Sequence, residues 1–106
     1  MKTKRPYPQL FQMFGGYLHQ DWDYEFIWEE DEKPHFKAAV EAYKEDCKTE
    51  VIHTSIQELE ELINKHHTNS ELENIVSRKL GCAVDPEYFG LTYQQFLIEV
   101  LQILKE

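Results

Sequence analysis

Apolar side chains recur along this chain at helical spacing. Leu10, Phe11, Phe14, Tyr17 and Leu18 fall at i, i+1, i+4, i+7 and i+8, one face of a short helix. Pro8 suits the first turn, where a missing N–H costs nothing. A second helix is predicted to start near Pro34, with Phe36, Ala39, Val40, Tyr43 and Cys47 on its buried face. Thr49 is a candidate cap for a third, faced by Ile52, Ile56, Leu59 and Ile63 with Leu62 beside them. Ser70-Glu71-Leu72-Glu73 reads as a capping box. The fourth helix that it opens buries Leu72, Ile75, Val76 and Leu80 and stops at Gly81, a good residue for a left-handed helix end. Thr92-Tyr93-Gln94-Gln95 is a second capping box, opening a last helix that carries Tyr93, Phe96, Leu97, Val100, Leu101 and Leu104.

Two stretches lack this period: Gln20 to Lys33, and Cys82 to Leu91, where Asp85-Pro86 and Gly90 read as turns. Alternating β-branched runs, internal repeats and low-complexity linkers are absent. The pattern therefore predicts an all-α fold, a compact bundle of about five helices forming one domain over residues 1–106. With 42% of residues hydrophobic and 13% aromatic, a chain of 106 residues can bury a core without staples. Cys47 and Cys82 are too few for a disulfide scaffold, which points to a reducing cytoplasmic compartment. The basic start Met1 to Pro6 is followed by no apolar run of signal-peptide length, and no stretch approaches a membrane span. A soluble protein that stays where it is made is the expectation.

Charge changes the picture. Twenty Asp and Glu against 11 Lys and Arg give a formal net charge of −9. That excess argues against nucleic acid or an anionic membrane as a direct partner, since both are polyanions. It is also localised: Asp21 to Glu32 holds seven carboxylates and no base, leaving 13 acids against 11 bases in the rest of the chain. Trp22, Tyr24, Phe26 and Trp28 are interleaved with the acids. This is either a solvated loop whose aromatics fold back onto the core, or a recognition surface. Aromatics supply contact area at low entropic cost, and carboxylates steer a basic partner.

Chemistry of other kinds has thin support. Numbered from Asp21, acids fall where an EF-hand loop wants them, but Phe26 stands at the position that needs Gly for its sharp turn. His19, His35 and His53 are scattered, and His66-His67 read as cations at a helix end; no metal-ligand spacing occurs. No G-x-S-x-G and no phosphate-binding loop is present, since Gly15-Gly16 lacks the Lys-Ser/Thr partner. Cys47 on a helix face reads as core rather than as a nucleophile. No cofactor is implied.

The run Tyr7-Pro8-Gln9-Leu10, then Phe14-Gly15-Gly16-Tyr17-Leu18-His19-Gln20-Asp21-Trp22-Asp23, resembles the opening of the immunity proteins of bacterial contact-dependent growth inhibition systems. Gly81-Cys82 with Pro86, then Gly90-Leu91-Thr92-Tyr93-Gln94-Gln95-Phe96-Leu97, resembles their closing pattern, so the likeness spans nearly the whole chain. Departures are a longer acidic stretch after the first motif and Phe96 where Trp is common. The resemblance implies a small helical cytoplasmic protein, not an enzyme, that binds and blocks the toxic C-terminal domain of a large secreted effector. Such toxins are frequently nucleases, including ribonucleases, whose substrate clefts are basic, and the acidic segment suits such a cleft.

On this reading Gly15, Gly16, His19, Gln20, Asp21 and Trp22 form a structural motif. Asp23, Tyr24, Glu25, Trp28, Glu29, Glu30, Asp31 and Glu32 are the candidate toxin-binding residues, with Trp28 or Tyr24 as anchor. The expected complex is one-to-one, formed by a monomer. The competing readings are a small acidic metal-binding protein or enzyme using the 21–32 loop, and a mimic of DNA, which would want its charge spread along a longer face.

Overall fold

The computed structural model describes residues 7–18, 36–65 and 68–106. As the periodicity predicts, these residues form helices and, among them, no strand. Helix α1 is Pro8–Tyr17, α2 is Phe36–Asp46, α3 is Thr49–Asn64, α4 is Asn69–Glu73 and α5 is Tyr93–Lys105. A π-helical turn, Asn74–Lys79, continues α4, and a 3₁₀ turn, Pro86–Phe89, precedes α5. Helix α5 packs on α2, α3 and α4, while α1 packs on α2 and α3.

Pro8 opens α1 as expected, but Tyr7 before it has a left-handed backbone (φ 54°) and offers no side-chain cap. The cap comes from another helix. Glu58 of α3 accepts the N–H of Gln9 (2.9 Å) and of Leu10 (3.1 Å) on its Oε1. Leu10, Met13, Phe14 and Leu18 are buried, whereas Phe11 and Tyr17 are only half-buried. The buried stripe is thus rotated toward Met13 relative to the predicted face.

Phe36, Ala39, Val40 and Tyr43 are buried on α2, as predicted, but Cys47 just beyond its end is half-buried. On α3 the buried positions are Ile52, Ser55, Leu59 and Leu62, with Ile56 and Ile63 half-buried at the edges. Ser55 is tolerated there because its hydroxyl is fully used. It donates to the Val51 carbonyl (2.8 Å) and shares a hydrogen bond with the Tyr43 hydroxyl (2.7 Å). Thr49 does not cap α3: Lys48 occupies the cap position with extended backbone, and Thr49 is already helical.

The start of α4 also differs from expectation. Thr68-Asn69-Ser70-Glu71 overlaps the predicted box, and it forms in place of that one: Thr68 Oγ1 accepts the Glu71 N–H (3.1 Å), and Glu71 Oε1 accepts the Thr68 N–H (2.9 Å). Starting two residues earlier places Asn69 where its Oδ1 accepts the Tyr93 N–H (2.9 Å), tying the start of α4 to the start of α5. The π turn has its own cause. Leu72, Val76 and Leu80 are the fully buried residues, spaced by four, and a four-residue repeat drifts around a 3.6-residue helix. Widening the turn, with the Leu80 N–H on the Ile75 carbonyl (2.8 Å), absorbs the excess residue and keeps the three in line.

Gly81, at φ 78°, ends the turn as predicted. The chain then runs through buried Cys82 and Val84 to Asp85, whose carboxylate accepts the Glu87 N–H (3.1 Å) and caps the 3₁₀ turn. Gly90 reverses direction at φ 71°. The second predicted box is present: Thr92 Oγ1 accepts from Gln95, and Gln95 Oε1 from Thr92. On α5 Ile103 is buried and Leu101 only half-buried, so the buried stripe again differs from the predicted one, with Ile103 in the place of Leu101. Phe96 is the hub of the core, with Phe36 edge-on to it at 4.9 Å and Phe14 at 6.3 Å between ring centroids.

Candidate partner-binding surface

Asp23, Tyr24, Glu25, Trp28, Glu29, Glu30, Asp31 and Glu32 lie outside the described residues, as do His19, Gln20, Asp21, Trp22, His66 and His67. The described residues that flank the acidic segment in the chain are Leu18 and Phe36. Leu18 and Phe36 are both fully buried. The Leu18 carbonyl accepts the Ala83 N–H at 2.7 Å, and the Phe36 ring stands edge-on to Phe89 at 5.2 Å. Leu18 and Phe36 are therefore both held against one stretch of chain, residues 82–91.

That stretch carries a feature the periodicity gave no reason to single out. Tyr88 is 65% exposed, the most open of the large hydrophobic side chains among the described residues. Its ring stands edge-on to Phe89 (5.1 Å), and its N–H donates to the Asp85 carbonyl (3.1 Å). The hydroxyl of Tyr93 is pushed up to about 12, first by burial and then by nearby groups, among them the carboxylates of Glu73, Asp85 and Glu87. These three acids make no ion pair among the described residues. No Lys or Arg occurs from Leu80 to Leu104, although Arg78 and Lys79 directly precede that stretch.

Gly15 and Gly16 both lie inside α1. A Cβ on Gly15 would sit 3.7 Å from the Leu80 carbonyl oxygen, an ordinary contact, and one on Gly16 would meet nothing within 4 Å. Neither position has the positive φ or the crowding that would demand glycine. Gly81 does have the backbone that favours it.

A second concavity, an open groove of about 670 Å³, lies between the first half of α3 and the end of α5. Ile52, Ile56 and Leu104 line it, with Cys47, His53 and Lys105 among the residues around them. Burial pushes the Cys47 thiol up, with the Tyr43 hydrogen bond opposing, which leaves less thiolate for nucleophilic work. Cys82 is inert for the same reason, raised to about 12 by burial. Among the described residues no three His, Cys, Asp or Glu side chains converge as a metal site, and no helix is long and apolar enough to cross a membrane. The 21–32 loop, on which the metal-binding reading rests, lies outside those residues.

Lys44 and Glu58 are further residues whose roles the sequence pattern did not disclose. Lys44 Nζ donates to the carbonyl oxygens of Ile103 (2.8 Å) and Glu106 (2.7 Å), placing a cation at the negative end of the α5 dipole. Glu58 mirrors this at the positive end of α1. Neither partner lies within a helical turn of the residue it serves, so no local motif could reveal the pairing.

Among known proteins, no curated protein and no solved structure matches the chain. Residues 6–104 match a family model described as CdiI immunity protein. The match takes in the opening run around Gly15-Gly16, the closing run through Phe96-Leu97 and the helices between them, and on that extent the chain belongs to the CdiI immunity protein family.

Proposed function

We propose that the chain protects its host cell by binding the C-terminal toxin domain of a contact-dependent growth inhibition effector in the cytoplasm. In this reading the toxin is a nuclease, and the immunity protein occludes its basic substrate cleft without catalysing anything itself. The complex is one-to-one, formed by a free monomer. Family membership supports the immunity role. The nuclease reading is carried by a single observation: seven of the 20 acids fall within residues 21–32, with no base among them. A cleft that binds a polyanion is lined with Lys and Arg, and a segment of this composition complements it. Asp23, Glu25, Glu29, Glu30, Asp31 and Glu32 supply the charge, and Tyr24 and Trp28 the contact area.

The test is genetic first. The toxin domain of the effector proposed as its partner is expressed in a naive host, with and without the chain. Restored growth is the expected result, together with loss of cellular nucleic-acid degradation when the chain is present. Unprotected growth overturns the immunity role. Protection against a toxin that degrades no nucleic acid overturns the nuclease assignment alone.

A further inference from the structure

Tyr88 is an apolar ring held in water, and the fold goes to some length to hold it there. Pro86 is buried beneath the turn, Asp85 caps it, and the Leu91 N–H closes it on the Pro86 carbonyl at 3.0 Å. The ring is backed by a continuous edge-on series: Tyr88 on Phe89, Phe89 on Phe36, Phe36 on Phe96, at 5.1, 5.2 and 4.9 Å. Phe96 is fully buried, so the series runs from solvent to the centre of the core. An aromatic presented this rigidly loses little further freedom on binding, which is the property of an interface anchor.

Its surroundings select the partner. Glu87 is its chain neighbour, Asp85 lies in the same turn and takes the Tyr88 N–H on its carbonyl, and no Lys or Arg occurs from Leu80 to Leu104. An exposed ring beside carboxylates fits Lys and Arg, whose charged heads meet the acids while their stems or guanidinium planes cover the ring.

We propose that Tyr88, with Glu87 beside it, forms a contact for the basic surface of the toxin domain. The proposal rests on the toxin-binding reading above. Its test is isothermal titration of the purified toxin domain into four forms of the whole chain: wild type, Tyr88→Ala, Glu87→Lys and Ile98→Ala. Ile98, on α5, is the other exposed large hydrophobic and serves as the comparison. Tyr88→Ala is expected to raise Kd about tenfold or more and Glu87→Lys to do the same with a steeper loss at low salt. Ile98→Ala should leave Kd unchanged, and the melting temperatures of all four should agree within a few degrees. Wild-type affinity in Tyr88→Ala overturns this contact while leaving the function intact. An equal loss in Ile98→Ala overturns it too, because the effect would then not belong to this turn. Failure of the wild type to bind overturns the toxin-binding reading, and this contact falls with it.

Discussion

Glu58 and Leu10 are 48 residues apart in the chain and 3.1 Å apart in the fold, where the carboxylate of one accepts the N–H of the other. The same oxygen takes the Gln9 N–H, so the first turn of α1 is capped from α3. The opening stretch of the family motif thus depends on a glutamate far outside it. Replacing Glu58 by Ala leaves two backbone donors without their acceptor and should cost about 1–2 kcal/mol, the range of a lost helix cap. For a domain of this size that lowers the melting temperature by roughly 4–8 °C per kcal/mol, readable by circular dichroism.

Glu58→Gln separates the cap from the charge. Burial raises the Glu58 pKa even though the Leu10 and Gln9 N–H groups pull it down. A group whose folded pKa is raised contributes stability below its unfolded value and loses it as pH rises through the folded one. Glutamine keeps the acceptor and never ionises. Glu58→Gln should therefore match the wild type in acid and equal or exceed it at neutral pH, the gap opening as pH passes the unfolded carboxylate value of about 4.3. A Gln variant less stable than wild type at pH 7 would show that the N-terminal dipole outweighs the burial.

The glycines separate motif from mechanics. Gly16→Ala places a methyl in open space within a helix and should stabilise the fold by about 0.5–1 kcal/mol. Gly81→Ala puts a side chain on a backbone with φ 78° and should destabilise it by about 1 kcal/mol. Thermal melts of the two variants then move in opposite directions. If Gly16→Ala also weakens toxin binding, the Gly15-Gly16 pair serves recognition rather than folding.

Much of this architecture is legible in sequence, and the differences have local causes. The stripe Phe36, Ala39, Val40, Tyr43 can be read from spacing alone because each residue is apolar and each is buried. Ser55 is missed because polarity hides a core position whose hydroxyl happens to be satisfied by Tyr43 and Val51. The start of α4 is displaced because two boxes overlap, and only a tertiary bond, from the Tyr93 N–H to Asn69, distinguishes them. Tyr88 is missed for the opposite reason to Ser55: within a turn, composition does not say which aromatic points out. Phe89 and Tyr88 are adjacent, yet only Phe89 packs against the core.

Lys44 offers a test of the far end of the bundle. Its ammonium satisfies carbonyls at the end of α5, where both the hydrogen bonds and the helix dipole favour a cation. Lys44→Met keeps the apolar stem and removes the charge, and should cost about 1 kcal/mol. Backbone amides of the last turn of α5 should exchange with deuterium faster in the variant, while those of α1 should be unchanged. Uniform exchange across both helices would mean that the lysine stabilises the fold without local capping.

Charge placement is testable by comparing carboxylates inside and outside the acidic segment, and the comparison set matters. Glu58, Glu60 and Glu61 form an obvious exposed-looking trio on α3, but Glu58 caps α1, Glu60 pairs with Lys105 at 3.1 Å and Glu61 with Lys65 at 3.3 Å. Loss of any of them confounds binding with folding. Glu45, Glu50 and Glu99 are exposed and form no ion pair among the described residues, so they are the sounder controls. Glu29/Glu30/Asp31→Ala and Glu45/Glu50/Glu99→Ala each remove three carboxylates. Long-range attraction to a basic toxin depends on net charge in both, whereas docking contacts depend on where the charge sits. Stopped-flow association with the toxin domain should slow by about tenfold or more at low salt in the first variant and by less than about threefold in the second. The difference between them should narrow as salt screens the exposed charges. Equal slowing in both would mean that the segment acts only through its contribution to net charge, and would remove residues 29–31 from the interface.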